Sequence, residues 1–135
     1  MDDGQAFARV AAARVGRLAT VTRDGMPHVV PCCFVVVGDV VASAVDDVKP
    51  KSTAALRRLD NLRANPRAAL LVDHYDDDWT TLWWVRADGV ARVLGDGSER
   101  EQLLDALASK YTQYAERRPP GPVIALDVAR WTAWP

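Results

Sequence analysis

The sequence has 135 residues, 17 basic against 18 acidic side chains and a formal net charge of −1, with 49% hydrophobic and 26% charged residues. That is enough chain for one globular domain spanning residues 1–135, with a composition ordinary for a soluble protein. The near-neutral balance argues against general nucleic-acid binding, and no apolar run approaches the ~20 residues of a membrane span. The N-terminus is acidic and then amphipathic rather than basic and continuously apolar, so a cytoplasmic location is expected.

In chain order, Phe7, Val10 and Ala11 fall at helical spacing and predict a helix over residues 3–14, ended by Gly16. Leu18 to Thr22 reads as a strand, Arg23-Asp24-Gly25 as a hairpin turn, and His28 to Val37 as one long apolar strand. Gly38-Asp39 then turns the chain into a strand from Val40 to Val45, giving an antiparallel meander. Ser52 is placed to cap a helix with Leu56, Leu59 and Leu62 as its apolar stripe, and Asn65-Pro66 stops it. Strands follow over Arg67 to Tyr75, Leu82 to Ala87 and Val90 to Leu94, the last two joined by an Asp88-Gly89 turn. Ser98 and Glu101 read as a capping box opening a helix that runs to Tyr114. After the stiff Arg117 to Pro122 connection, Val123 to Val128 forms a final strand leading to Trp131 and Trp134. Six or seven antiparallel strands with flanking helices predict a mainly β protein, a small barrel that leaves few exposed sheet edges.

The stretch around which this pattern is organised lies between Lys49 and Arg67. It holds six basic side chains (Lys49, Lys51, Arg57, Arg58, Arg63, Arg67) against one acid, Asp60. A basic helix face is ordinarily solvated surface, but here the helix N-terminus stands beside Lys49 and Lys51, where a phosphate or carboxylate would be stabilised. On the helical wheel Arg57 and Asn61 fall on the face away from the leucines, with Arg58 at its border.

Hydrolytic and metal chemistry find no support in the sequence. There is no Gly-x-Ser-x-Gly elbow, Walker loop, HExxH or CxxC. His28 and His74 fall on separate strands and no metal site is expected from them. The adjacent Cys32 and Cys33 would point to opposite faces of a strand, which suits buried thiols better than a disulfide. Five tryptophans, all in the second half of the chain, add flat aromatic surface to the basic corner. That pairing suits a ligand that is part phosphate and part aromatic ring, such as a redox cofactor that carries its own reactive atom.

Several segments together resemble a known family. They are Gly16 to Val21, Asp24 to Pro31, Asn61 to Asp73, and the hairpin from Trp79 to Val93 closing on Asp88-Gly89-Val90-Ala91-Arg92-Val93. In order and spacing they are similar to the pyridoxamine 5'-phosphate oxidase-like superfamily, the split β-barrel flavin and deazaflavin oxidoreductases. The Asp46 to Lys51 loop, Asp73-His74-Tyr75, Trp83 to Arg86 and the Trp131 to Trp134 ending resemble its actinobacterial branch that uses coenzyme F420.

The resemblance implies a split β-barrel and a homodimer whose cofactor sites lie at the interface. It implies that Ser43, Ala44 and Val45, with Lys49, Lys51, Arg57, Arg58 and Asn61, hold the phosphate and acidic tail of the cofactor. His28 and Pro31 would lie near its ring system, and Trp79 and Trp83 would help wall the pocket, from the same or the partner subunit. Flavin mononucleotide is the alternative cofactor, but the pyridoxamine phosphate oxidases carry a basic strand motif, and Val29 to Val37 has no basic residue. The expected activity is hydride transfer between a reduced deazaflavin and a small unsaturated or electron-poor molecule. The alternatives are a flavin mononucleotide enzyme of the same fold and a non-catalytic protein that binds a flavin, a deazaflavin or haem.

Overall fold

The structure, a computed structural model, describes residues 1–45 and 53–135, with the side chains of all of these except 53–56. Lys49, Lys51 and the Ser52 cap lie outside the described residues. Helix α1 (Asp3–Ala12) is followed by strands β1 (Gly16–Val21), β2 (Pro27–Cys32), β3 (Val35–Val37) and β4 (Val40–Ala44). Then come α2 (Thr53–Ala64), β5 (Arg67–His74), a 3-10 turn (Trp79–Thr81) and β6 (Trp83–Leu94). The chain closes with α3 (Ser98–Lys110), α4 (Thr112–Glu116) and β7 (Val123–Trp134).

The seven strands form one antiparallel sheet in the order β2-β1-β5-β6-β7-β4-β3. Its two edge strands, β2 and β3, are joined by only Cys33 and Phe34. A flat sheet of seven strands would hold its edges roughly 29 Å apart, whereas the three residue steps from Cys32 to Val35 span at most about 11 Å. The sheet must therefore curl until its edges meet, which is the split barrel expected from the sequence. Tyr111 closes the seam. Its hydroxyl accepts a hydrogen bond from Phe34 N–H at 3.0 Å and lies 3.0 Å from the carbonyls of both Phe34 and Arg14, to which it can donate. The backbone groups of the fully buried Phe34, lost to both ladders, are paired in this way.

Several sequence expectations are corrected. The long strand His28 to Val37 breaks at Cys33-Phe34, so the first strands do not form a simple meander. The predicted turn at Asp88-Gly89 instead lies inside the continuous strand β6, where the register with β7 shifts and Ala129 of β7 is the extra, bulged residue. Gly89 is needed there because a Cβ would stand 2.0 Å from the Asp127 carbonyl oxygen of β7. One predicted strand splits and two merge, so the count of seven survives both errors. Strand β7 runs on past Val128 to Trp134 because β6 gives it a partner along its whole length. The Ser98 capping box does not form: Gly97, at φ 99°, precedes the helix without a side-chain cap, and Glu101 pairs with Arg100 and Arg118. The helix expected to reach Tyr114 stops at Lys110 and restarts as α4. In α1 the buried face is Ala6 and Val10, while Phe7 and Ala11 are exposed; Asp2 with Gln5 caps the helix.

Alternation along the strands sorts the core into two clusters. Leu18, Val41, Leu70, Val72, Val85, Ile124 and Leu126 fill the barrel, joined by Val10 of α1 and by Leu59 and Leu62 of α2. The opposite face of β4 and β7 offers small side chains, Ala42, Ala44 and Ala125, onto which Leu103, Leu104 and Leu107 of α3 pack with Tyr111 and Tyr114. Helices α3 and α4 thus cover one part of the outer sheet face. No described helix is long and apolar enough to cross a membrane.

Candidate functional site

The central helix meets the barrel through polar contacts as well as leucines. Asn61 is 4% exposed and donates to Thr20 Oγ1 at 3.0 Å, fixing α2 on the inner face of β1. Thr20 stands opposite His28 in the β1–β2 register, and His28, Val30 and Cys32 share that inner face. Across the seam, Ser43 of β4 comes to Cys32, and Arg58 of α2 approaches the same sulfur. Burial pushes the Cys32 thiol up from its ordinary value, while the Ser43 hydroxyl and then the Arg58 guanidinium pull the other way. Elements distant in sequence therefore place His28, Cys32, Ser43, Arg58 and Asn61 along one corner of the barrel.

The corner holds polar atoms without partners. His28 Nδ1, Ser43 Oγ and Arg58 Nε are all covered and make no hydrogen bond among the described residues. Leaving a polar atom unpaired in the interior costs about 1–3 kcal/mol. Ser43 and Arg58 meet at Cys32, whereas His28 stands four residues along β2, about 13 Å from Cys32. A guanidinium, a hydroxyl and an imidazole nitrogen are suitable donors for an oxyanion.

The other predicted site residues divide. Val45 lies on the barrel side of the chain with Ser43, whereas the Ala44 side chain faces α3. Pro31 is exposed on the face of β2 opposite His28. Arg57 is exposed, and Asn61 faces the barrel rather than solvent, which corrects its expected placement beside Arg57 on the polar face. The basic stretch is thus no single patch: Arg63 pairs loosely with Asp60 at 3.8 Å, and Arg67 is exposed on β5. Trp79 is 80% exposed on the 3-10 turn, and Trp83 packs against the barrel core beneath the Arg9 guanidinium.

Residues not singled out as a site form a cavity of about 410 Å³ on the outer sheet face, lined by Leu71, Asp73, Tyr75, Trp84 and Arg86. The register explains the set, since Asp73 lies opposite Trp84 and Leu71 opposite Arg86. The alternation of Trp83 and Trp84 was the available signal: one of the two must face outward, and only the pairing of β5 with β6 decides which.

Comparison with solved structures agrees on the fold. The chain superposes on a conserved hypothetical protein from Mycobacterium tuberculosis with a TM-score of 0.80 at 20% identity, covering 99% of this chain and 84% of that one. An FAD-binding protein from Mesorhizobium loti gives 0.74 at 22% identity over 98% of this chain and 94% of that one. The haem storage protein HutZ of Vibrio cholerae gives 0.75 at 15% identity over 98% and 92%. No curated protein matches in sequence. The sequence profile of the pyridoxamine 5'-phosphate oxidase family, however, matches residues 3–135, nearly the whole chain. With the curled seven-stranded sheet in place, that match is decisive: the chain belongs to the pyridoxamine 5'-phosphate oxidase family.

Proposed function

We propose that this protein is a cytoplasmic, homodimeric oxidoreductase that uses coenzyme F420 to reduce a small unsaturated or electron-poor molecule. The observation that carries the reading is the set of unpaired atoms of His28, Ser43 and Arg58 at the α2 corner. Arg58 and Ser43 would bind the phosphate or acidic tail, and His28, further along β2, would offer its ring nitrogen to the polar edge of the ring. Asn61, spent on Thr20, would hold α2 in place rather than touch the cofactor. When bound, the deazaflavin supplies the hydride chemistry. The chain's own part is to orient it and exclude water; proximity and orientation can be worth ~7–11 kcal/mol. The absence of a basic residue from Val29 to Val37 supports a deazaflavin over flavin mononucleotide, whose phosphate the family binds through such a strand.

Flavin mononucleotide remains the second reading, supported by the likeness in fold to the FAD-binding protein of Mesorhizobium loti. Parallel equilibrium titrations of cofactor-free protein with coenzyme F420, flavin mononucleotide and haem decide between them. Tighter binding of the deazaflavin is expected. Preference for the flavin would replace the first reading by the second, and binding of haem alone would make the protein a carrier.

A further inference from the structure

The seam at Phe34 also carries an amine with no partner, which the cofactor reading of the α2 corner does not use. Lys110, the last residue of α3, holds its Nζ 4.0 Å from the centroid of the Phe34 ring and 5.3 Å from that of Tyr111. The nitrogen is covered and makes no hydrogen bond among the described residues. The Arg14 guanidinium stands over the same Tyr111 ring at 4.6 Å, and its Nη2 donates to the Lys110 carbonyl at 3.0 Å. Two cationic side chains thus meet at one ring, and no carboxylate pairs with either among the described residues.

We propose that Lys110 is a site of reversible carboxylation by carbon dioxide, and that the Arg14 guanidinium holds the carbamate so formed. The lone pair of the neutral amine forms a C–N bond to the carbon of carbon dioxide, and one C=O bonding pair moves onto oxygen. An N–H proton then leaves to solvent, so one amine and one carbon dioxide give one carbamate anion and one proton. No oxidant or reductant takes part.

Charge, donors and size all favour this chemistry. Burial, and after it the charge of Arg14, hold the amine down at about 8 instead of 10.5, so about a fifth of it is neutral at pH 7.4. Carboxylation replaces two like charges at one ring by an opposite pair. Among the described residues Arg14 has Nε and Nη1 free to donate to the carbamate, and its bond to the last carbonyl of α3 offsets the negative end of that helix. A covered nitrogen excludes bulky or charged acylating agents, whereas carbon dioxide is small, uncharged and soluble in apolar surroundings. Lys110 is half-buried and Arg14 exposed, so the longer carbamate can turn outward along the ring to meet the guanidinium.

The test equilibrates the intact chain with isotopically labelled bicarbonate and carbon dioxide, traps carbamates by ethylation with triethyloxonium, and reads the label at Lys110 by peptide mass spectrometry. The same chain unfolded in guanidinium chloride is the standard. At pH 7.4 the folded chain should carry at least about tenfold more label at Lys110, because its neutral fraction exceeds that of an ordinary lysine by on the order of a hundredfold. The excess should hold up to about pH 8 and shrink above it, where the folded amine is already neutral. Arg14, Cys32, Cys33 and Tyr111 are the titratable groups that face the amine, and Cys32 and Tyr111, both raised by burial, stay neutral up to pH 8. In Arg14→Met, a change at an exposed position, the amine regains its proton more readily and the carbamate loses its donor, so the label should fall about threefold or more. Equal label in the folded and unfolded chain, an excess that persists unchanged to pH 10, or undiminished label in Arg14→Met would each overturn the proposal. None of those results touches the cofactor reading, whose own failure is read separately in the cofactor titrations.

Discussion

Tyr111→Phe removes one oxygen and tests the seam of the barrel. The ring keeps its edge-on contact with Tyr114, centroids 5.6 Å apart, so almost no packing is lost. What goes is the acceptor for Phe34 N–H and the donor shared by the Phe34 and Arg14 carbonyls. Phe34 is fully buried, so water does not replace the hydroxyl. One buried donor left unpaired costs about 1–3 kcal/mol, and the lost donated bond roughly 1 kcal/mol more. The variant should therefore be about 2–4 kcal/mol less stable, a fall in Tm of roughly 6–15 °C for a chain of this size. Urea unfolding followed by far-UV circular dichroism measures the first quantity and a thermal melt the second. A loss below about 0.5 kcal/mol would refute the claim that this hydroxyl joins the sheet edges.

Asn61→Ala should cost about 1–3 kcal/mol in the same unfolding assay, because both Asn61 and Thr20 are buried and their side chains are bonded to each other. Gly89→Ala should cost more than about 3 kcal/mol, since neither backbone segment at the bulge can yield to a Cβ 2.0 Å from the Asp127 oxygen; its soluble yield and melting temperature report this. The Lys110 amine is lowered from 10.5 to about 8, chiefly by burial and then by Arg14. The unfolded chain therefore holds the extra proton between those values, and this lysine's contribution to stability rises with pH across that window. Cys32 and Tyr111, both raised by burial, act in the opposite sense above about pH 9 and 10, and Arg14 and Cys33 also face the amine. The informative quantity is the difference in urea midpoint between wild type and Lys110→Met, which should shift in favour of wild type from pH 7 to 9.5. A difference independent of pH would contradict the lowered value.

The periodicity of the sequence carried most of the fold. Leu59 and Leu62 are buried as their spacing requires, and the Gly38-Asp39 turn falls where expected between β3 and β4. The errors have physical causes that local pattern cannot reveal. Asp88-Gly89 has the composition of a hairpin turn, yet the glycine serves a close approach to β7, some 40 residues away in sequence. Cys33-Phe34 looks like the middle of an apolar strand, and only closure of the barrel makes it the point where the chain changes edges. At the site, Ser43 and Arg58 come to the same sulfur, Cys32, while His28 stands further along β2 and Ala44 and Pro31 are carried to other faces by the period of two. The clustering of basic residues was misleading as a count, because Arg58 turns toward the barrel while Arg57 and Arg63 turn to solvent.

The most direct test of the central claim, that the α2 corner holds the anionic part of a deazaflavin, is the dissociation constant of coenzyme F420 for wild type and for Arg58→Ala, read by cofactor fluorescence at moderate salt. Loss of a partly buried guanidinium that donates to a phosphate or carboxylate should weaken binding by about tenfold or more, since such charged hydrogen bonds contribute about 1.5–3 kcal/mol. Binding by both proteins with the same constant would place the cofactor elsewhere, and binding by neither would contradict the account.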